Sequence, residues 1–203
     1  MPCTIDKDLI QKTIDFHGHW CPGLAIGVRA AELALKEIGK ASDEEIVAIV
    51  ETDMCAVDAI QYLTGCTLGK GNLIYKDYGK STFTFYRRRD NKAIRMATRR
   101  EIFGETGPIL REMNRKVQEE GLTDDEEKTW NEIREGISKR IMESELTEVF
   151  EIKEPAVPVP KKARMVTSLV CESCREPVME TRTRRVQDKI YCIPCFDAVD
   201  RRW

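Results

Sequence analysis

An α+β fold is predicted: an α-β-α-β-β-β core whose mixed sheet is covered by helices, two further charged helices, and a small C-terminal treble-clef zinc finger. Three observations predict it. Helical periodicities flank a short β-branched run, Ile46-Val47-Ala48-Ile49-Val50, which reads as a buried strand. Three strand-like segments then follow one another over 73–98, separated by turns. Finally, two Cys-x2-Cys pairs close the chain.

The elements follow in order. Residues 8–16 place Leu9, Ile10, Thr13 and Ile14 at helical spacing. Pro22 suits the first turn of a helix over 22–39, which Gly39 stops. Thr52 or Asp53 can cap a helix over 54–63 that Gly65 ends. Strands are expected at 73–78, 81–87 and 92–98, the second alternating polar and aromatic residues. Charged helices over 105–120 and 124–148 are parted by Gly121, and Thr123-Asp124-Asp125-Glu126 fits a capping box. Three prolines between Pro155 and Pro160 mark an extended linker. The expected domains are thus 1–151, a linker 152–166, and a finger 167–203.

Composition narrows the function classes. Apolar residues make up 41% and charged residues 33% of the 203, as in a soluble globular protein with charged helices. No apolar run approaches the ~20 residues of a membrane span. Residues 1–6 lack the basic and apolar regions of a signal peptide, so a cytoplasmic location is expected. In that compartment the eight cysteines are expected as ligands or reactive thiols rather than disulfides. Net charge is −2 but unevenly spread, with residues 87–116 holding 10 basic against 4 acidic side chains. A solvated helix face explains that segment better than an acidic partner does.

Cys171-x2-Cys174-x17-Cys192-x2-Cys195 offers four thiolates to a tetrahedral, structural Zn²⁺. A knuckle, a hairpin turning at Gln187-Asp188, and a short helix carrying the last ligand describe a treble clef. Acidic residues interleave with Arg182, Arg184 and Arg185, which speaks against nucleic-acid binding and for docking on protein.

The other cluster is Asp15-Phe16-His17-Gly18-His19-Trp20-Cys21-Pro22-Gly23, which contains both histidines of the chain. In an extended loop, alternate side chains fall on one side, so His17, His19 and Cys21 can face one metal. Cys21 precedes Pro22 at a helix start, where unpaired N–H groups favour thiolate. Cys55 gains the same bias in the first turn of the next helix, with Asp58 one turn on. The candidate ligands of this cleft are His17, His19, Cys21 and Cys55, for Zn or Fe. Cys55, Asp58 and Lys70 are the candidate catalytic groups, with Asp58 as proton carrier and Lys70 as anion contact. Cys66 is a candidate thiol. The glycines of 65–71 do not make a Walker loop: the spacing is one residue short, no Ser or Thr follows Lys70, and the loop follows a helix.

Three motifs in order, Phe16-His17-Gly18-His19-x-Cys21-Pro22-Gly23, Cys55-x2-Asp58-Ala59-Ile60-Gln61, and Thr64-Gly65-Cys66-Thr67-x-Gly69-Lys70-Gly71-Asn72, resemble the formylmethanofuran dehydrogenase E-subunit family over about residues 10–150. Some members carry a C-terminal zinc finger. The resemblance implies a homodimer with a metal-binding cleft, able to take a small-molecule ligand or to join a larger enzyme complex, in one-carbon, methanogenesis-type metabolism. It leaves open whether the chain is an enzyme or an accessory subunit. Two alternatives stand beside it: a thiol-redox or sulfur-handling protein using Cys21, Cys55 and Cys66, and a zinc-finger regulator with a ligand-sensing N-terminal domain.

Overall fold

A computed structural model describes residues 2–156 and 158–199. The chain divides into two compact units, 1–162 and 163–203. No described helix is long and apolar enough to cross a membrane.

The first unit begins with α1 (Lys7–His17), α2 (Pro22–Glu37), β1 (Ile46–Val50) and α3 (Ala56–Thr64). β2 (Leu73–Tyr75), β3 (Thr82–Arg87) and β4 (Ala93–Thr98) follow, then a 3-10 turn over Arg100–Phe103. The helices α4 (Thr106–Glu119), α5 (Asp124–Glu143) and α6 (Leu146–Val149) lead into β5 (Phe150–Lys153). The sheet order is β2-β1-β3-β4-β5. β1 pairs with β2 in parallel and with β3 antiparallel, so the sheet is mixed, as predicted.

Register explains which sheet face is covered. Ile46, Ala48 and Val50 of β1 share the core with Phe83 and Phe85 of β3 and Ile94 and Met96 of β4. Alternate residues along each strand thus face the helices, as the two-residue period requires. β1 lies between two strands and is buried along its whole length, which accounts for its continuous apolar run.

β5 is the one sheet strand that the sequence pattern does not single out. Phe150-Glu151-Ile152-Lys153 alternates, but over only four residues, between a helix and a proline-rich stretch. The expected helix over 124–148 is also broken: α5 stops at Ser144, whose backbone is extended, and α6 is a separate turn. The capping box forms. The Thr123 N–H donates to Glu126 Oε2 at 2.9 Å, and the Glu126 N–H to Thr123 Oγ1 at 3.4 Å. Lys116 of α4 also pairs with Glu126 and ties the two charged helices together.

α2 is the central helix, buried from Pro22 to Ala34 apart from half-buried Gly23. It even buries an ion pair, Arg29 Nη1 with Glu32 Oε2 at 2.7 Å. The pair is further satisfied: Arg29 donates to the Ser144 carbonyl at 2.6 Å, and Thr4 donates N–H and O–H to Glu32, each at 2.7 Å. Such hydrogen bonds offset the desolvation of a buried pair. Here they pin the first residues and the end of α5 to α2. Gly27 brings α2 against the start of α3: a Cβ there would lie 2.3 Å from the Ala56 carbonyl oxygen and 2.6 Å from its Cα. The unit boundary falls inside the expected linker 152–166, whose residues up to 162 continue the first unit. Pro155, Pro158 and Val159 line a recess with Tyr86, and Arg88 donates to the Pro160 carbonyl.

The second unit has two hairpins and a helix: β6 (Ser168–Val170) with β7 (Pro177–Met179), β8 (Thr183–Val186) with β9 (Lys189–Cys192), and α7 (Ile193–Val199). That is the knuckle, hairpin and helix expected of a treble clef. Among its described residues, Cys171 alone is buried.

Candidate metal centre

Three helix ends meet at one place in the first unit. α1 ends at His17, and Gly18 turns the chain in the left-handed region at φ 96°. Cys21 is the N-cap of α2, its Sγ accepting from the Leu24 N–H at 3.3 Å. Cys55 immediately precedes α3. Gly23 leaves room between the two thiols: a Cβ there would touch Cys55 Cβ at 3.1 Å and Cys21 Sγ at 3.8 Å.

One ligand atom from each of His17, His19, Cys21 and Cys55 lies within 4.8 Å of all the others. Bonds of ~2.0–2.3 Å in a tetrahedral zinc site put donors roughly 3.3–3.8 Å apart, so small side-chain adjustments suffice. His17 supplies the strongest sign of a metal. Its Nδ1 bonds Asp58 Oδ2 at 2.7 Å, while its Nε2 is buried with no hydrogen-bond partner among the described residues. A buried ring nitrogen without a partner is costly, and coordination to a metal would satisfy it. The carboxylate on the far nitrogen is the arrangement that fixes tautomer and orientation in a metal-bound imidazole. Two imidazoles and two thiols suit Zn²⁺, with Fe²⁺ the next choice.

The metal-free electrostatics divide: Cys55 is held protonated, against the thiolate bias expected of a helix start, so a bound ion would have to displace its proton, whereas His19 is favoured in its ligating form. Burial pushes the Cys55 thiol up to about 11, with the nearby Cys21 adding to it. Burial also lowers His19, helped by the neighbouring His17 and Arg134, and so favours the neutral imidazole that binds metal.

The other candidate residues take different places. Asp58 orients His17. Cys66 and Lys70 stand past the opposite end of α3 from Cys55. Nine helical residues span about 14 Å, well beyond the reach of a disulfide. Cys66 is fully buried in the main core, its S–H directed to the Ile46 carbonyl at 3.6 Å. Lys70 does not line the cleft. The proposed thiol trio therefore reduces to the pair Cys21 and Cys55.

A cavity of about 330 Å³ opens beside the four donors. His19, Cys21 and Cys55 form one wall, and Asn114, Trp130 and Arg134, from α4 and α5, another. Sequence reading missed this second wall. Trp130 and Arg134 carry an i,i+4 signal, but it reads as an ordinary helix face, and only packing brings it to the histidine loop.

In the second unit, Cys171, Cys174, Cys192 and Cys195 bring their sulfurs within 4.8 Å of one another. Cys174 and Cys192 are 3.9 Å apart at sulfur. The Cys192 N–H donates to Cys171 Sγ at 3.3 Å and, with help from the Cys174 and Ser173 amides, holds that thiol down at about 6. A thiolate so supported is ready for a tetrahedral ion.

Comparison with known proteins assigns a family to the first unit and a C4 zinc finger to the second. The family model described as "FmdE, Molybdenum formylmethanofuran dehydrogenase operon" matches residues 16–151. That of the prokaryotic dksA/traR C4-type zinc finger matches residues 167–201. The crystal structure of an FmdE-like protein of the tungsten formylmethanofuran dehydrogenase type, from Syntrophus aciditrophicus, is similar with a TM-score of 0.62 at 25% identity, covering 96% of this chain and 94% of that one. A protein of Archaeoglobus fulgidus named "Probable S-adenosyl-L-methionine-binding protein" is 32% identical over 195 residues, or 92% of this chain. The chain spans about half of that relative's length, 52%.

Proposed function

The chain belongs to the FmdE family, and from that premise we propose that its first unit is a metal-dependent enzyme or accessory subunit acting on a small compound of one-carbon metabolism, as a homodimer or within a larger enzyme complex. One observation carries the metal part: the buried, partnerless Nε2 of His17, oriented by Asp58 toward His19, Cys21 and Cys55. The one-carbon part is supported by the family match and the FmdE-like structural neighbour.

His17, His19, Cys21 and Cys55 would hold the ion. Zinc bound there supplies Lewis-acid polarisation of a carbonyl or of water. The protein's part is orientation and exclusion of water. Asp58 keeps the proton of His17 on Nδ1, leaving Nε2 as donor. Ile26, Phe103 and Leu110 line the adjoining cavity with apolar surface. His19 is the exposed member of the four and would be the ligand most open to solvent.

The test is metal analysis of the full chain and of a Cys171→Ser/Cys174→Ser variant that disables the finger. Two equivalents of transition metal in the first and one in the second are expected. Loss of all metal from the finger variant would refute a metal centre in the first unit.

A second reading is favoured by the 32% identity to the Archaeoglobus protein: that this chain shares the S-adenosyl-L-methionine binding named for that relative. Equilibrium dialysis of the metal-loaded chain with S-adenosyl-L-methionine decides it, and no retention above a serum-albumin control rejects it.

A further inference from the structure

The cavity beside the metal donors has an unusual charge inventory. Of the described residues that line it, Arg134 alone carries a full charge apart from the metal-binding groups, and no carboxylate or lysine is among them. Two thiolates would neutralise a divalent ion on the opposite wall. The cavity is therefore apolar, with one uncompensated cation.

That cation is held in place without a carboxylate. The Arg134 guanidinium lies 4.2 Å over the Trp130 ring, and its described hydrogen bond is a long one, 3.5 Å, to Asn131 Oδ1. Trp130 is fixed in turn, its Nε1–H donating to Asn114 Oδ1 at 2.8 Å. Contact with the ring leaves most of the guanidinium's edge donors available, Nη1 being the one that donates to Asn131. That edge is a planar fork of donors matched to a carboxylate. Had Arg134 only a surface role, a carboxylate within reach on the acidic α5 would be its ordinary partner; none pairs with it among the described residues.

We infer that this cavity binds a small organic monoanion, its carboxylate held by the Trp130-stacked Arg134 and its apolar body directed toward the metal donors His19, Cys21 and Cys55. The volume, near the lower end of the ~300–1,000 Å³ of small-molecule sites, sets the size class. The inference rests on the proposed metal centre for the far wall of the cavity, but its anion end depends on Arg134 alone.

The test uses the full chain, zinc-loaded, titrated with straight-chain carboxylic acids from acetate to octanoate and with the corresponding neutral amides. Quenching of tryptophan fluorescence and calorimetry report binding. At least one acid is expected to bind about tenfold or more tightly than its amide, the difference made by a charge-assisted hydrogen-bonded pair. Arg134→Gln should abolish that preference, with zinc content and far-UV circular dichroism unchanged; Arg134→Lys should restore part of it. Failure of every acid to bind below about 10 mM, equal binding of acid and amide, or retention of the preference in Arg134→Gln would each overturn the inference. Zinc content read on the same samples separates the two proposals. An Arg134-dependent preference in a chain lacking first-unit metal would sink the metal centre and keep the anion site, and the converse result would do the reverse.

Discussion

Asp58 Oδ2 sits 2.7 Å from His17 Nδ1, although the two residues are 41 positions apart and belong to different helices. Asp58 is half-buried and makes this contact at the edge of the site, whereas His17 is almost enclosed. The carboxylate thus acts on the metal through the imidazole. Asp58→Ala should weaken first-unit zinc affinity about 10–100-fold, the usual effect of losing such an orienting partner. Competition with a chromogenic chelator measures it. Asp53→Ala, which removes an exposed nearby carboxylate, should leave affinity unchanged, and equal effects from the two variants would refute the orienting role.

Gly27 and Ala56 control the distance between the two thiols. A side chain at 27 would collide with the Ala56 backbone, which cannot swing aside as a flexible side chain can. Gly27→Ala should force α2 and α3 apart, at an overpacking cost of about 1–3 kcal/mol. Lowered thermal stability together with reduced first-unit zinc content is expected. A variant with unaltered melting and full zinc content would show that the helices do not meet as described.

The second unit should depend on its metal for folding. Cys171 is its one buried side chain among the described residues, so apolar burial contributes little there. Chelation should open residues 163–199 to protease while the sheet and α2 stay protected. Amide hydrogen exchange resolves the two units, and retained protection in the second after complete zinc removal would contradict this.

Cys55 should make the metal-free chain sensitive to alkali. Its folded thiol is raised from 9.0 to about 11, chiefly by burial. Between those values the unfolded chain loses this proton and the folded chain keeps it, so stability falls as pH rises through that window. The urea midpoint of the zinc-free chain should drop from pH 9 to 11, and less so in Cys55→Ser. In the same zinc-free chain, peroxide should join Cys21 to Cys55 and leave Cys66 reduced, as peptide mapping would show. A Cys55–Cys66 link would require α3 to unfold.

The sequence by itself determined the four sulfurs of the finger, the local part of the other donor set, and nearly every element that carries them. His17, His19 and Cys21 lie within five residues, and each cysteine pair of the finger within four, so local spacing already brings those donors together. Helices and strands were legible because amphipathic periods and Gly, Pro and capping residues act over a few positions. Only the tertiary structure decided which distant groups join them. It brought Cys55 in through the Gly27–Ala56 contact, set Asp58 on His17, and placed Arg134 and Trp130 across the cavity. It also sent Cys66 into the core and recruited β5 as an edge strand. Each of these depends on how faces pack across tens of residues, and no local period encodes that. A helix face bearing Trp130 and Arg134 looks the same in sequence whether it meets water or a metal site.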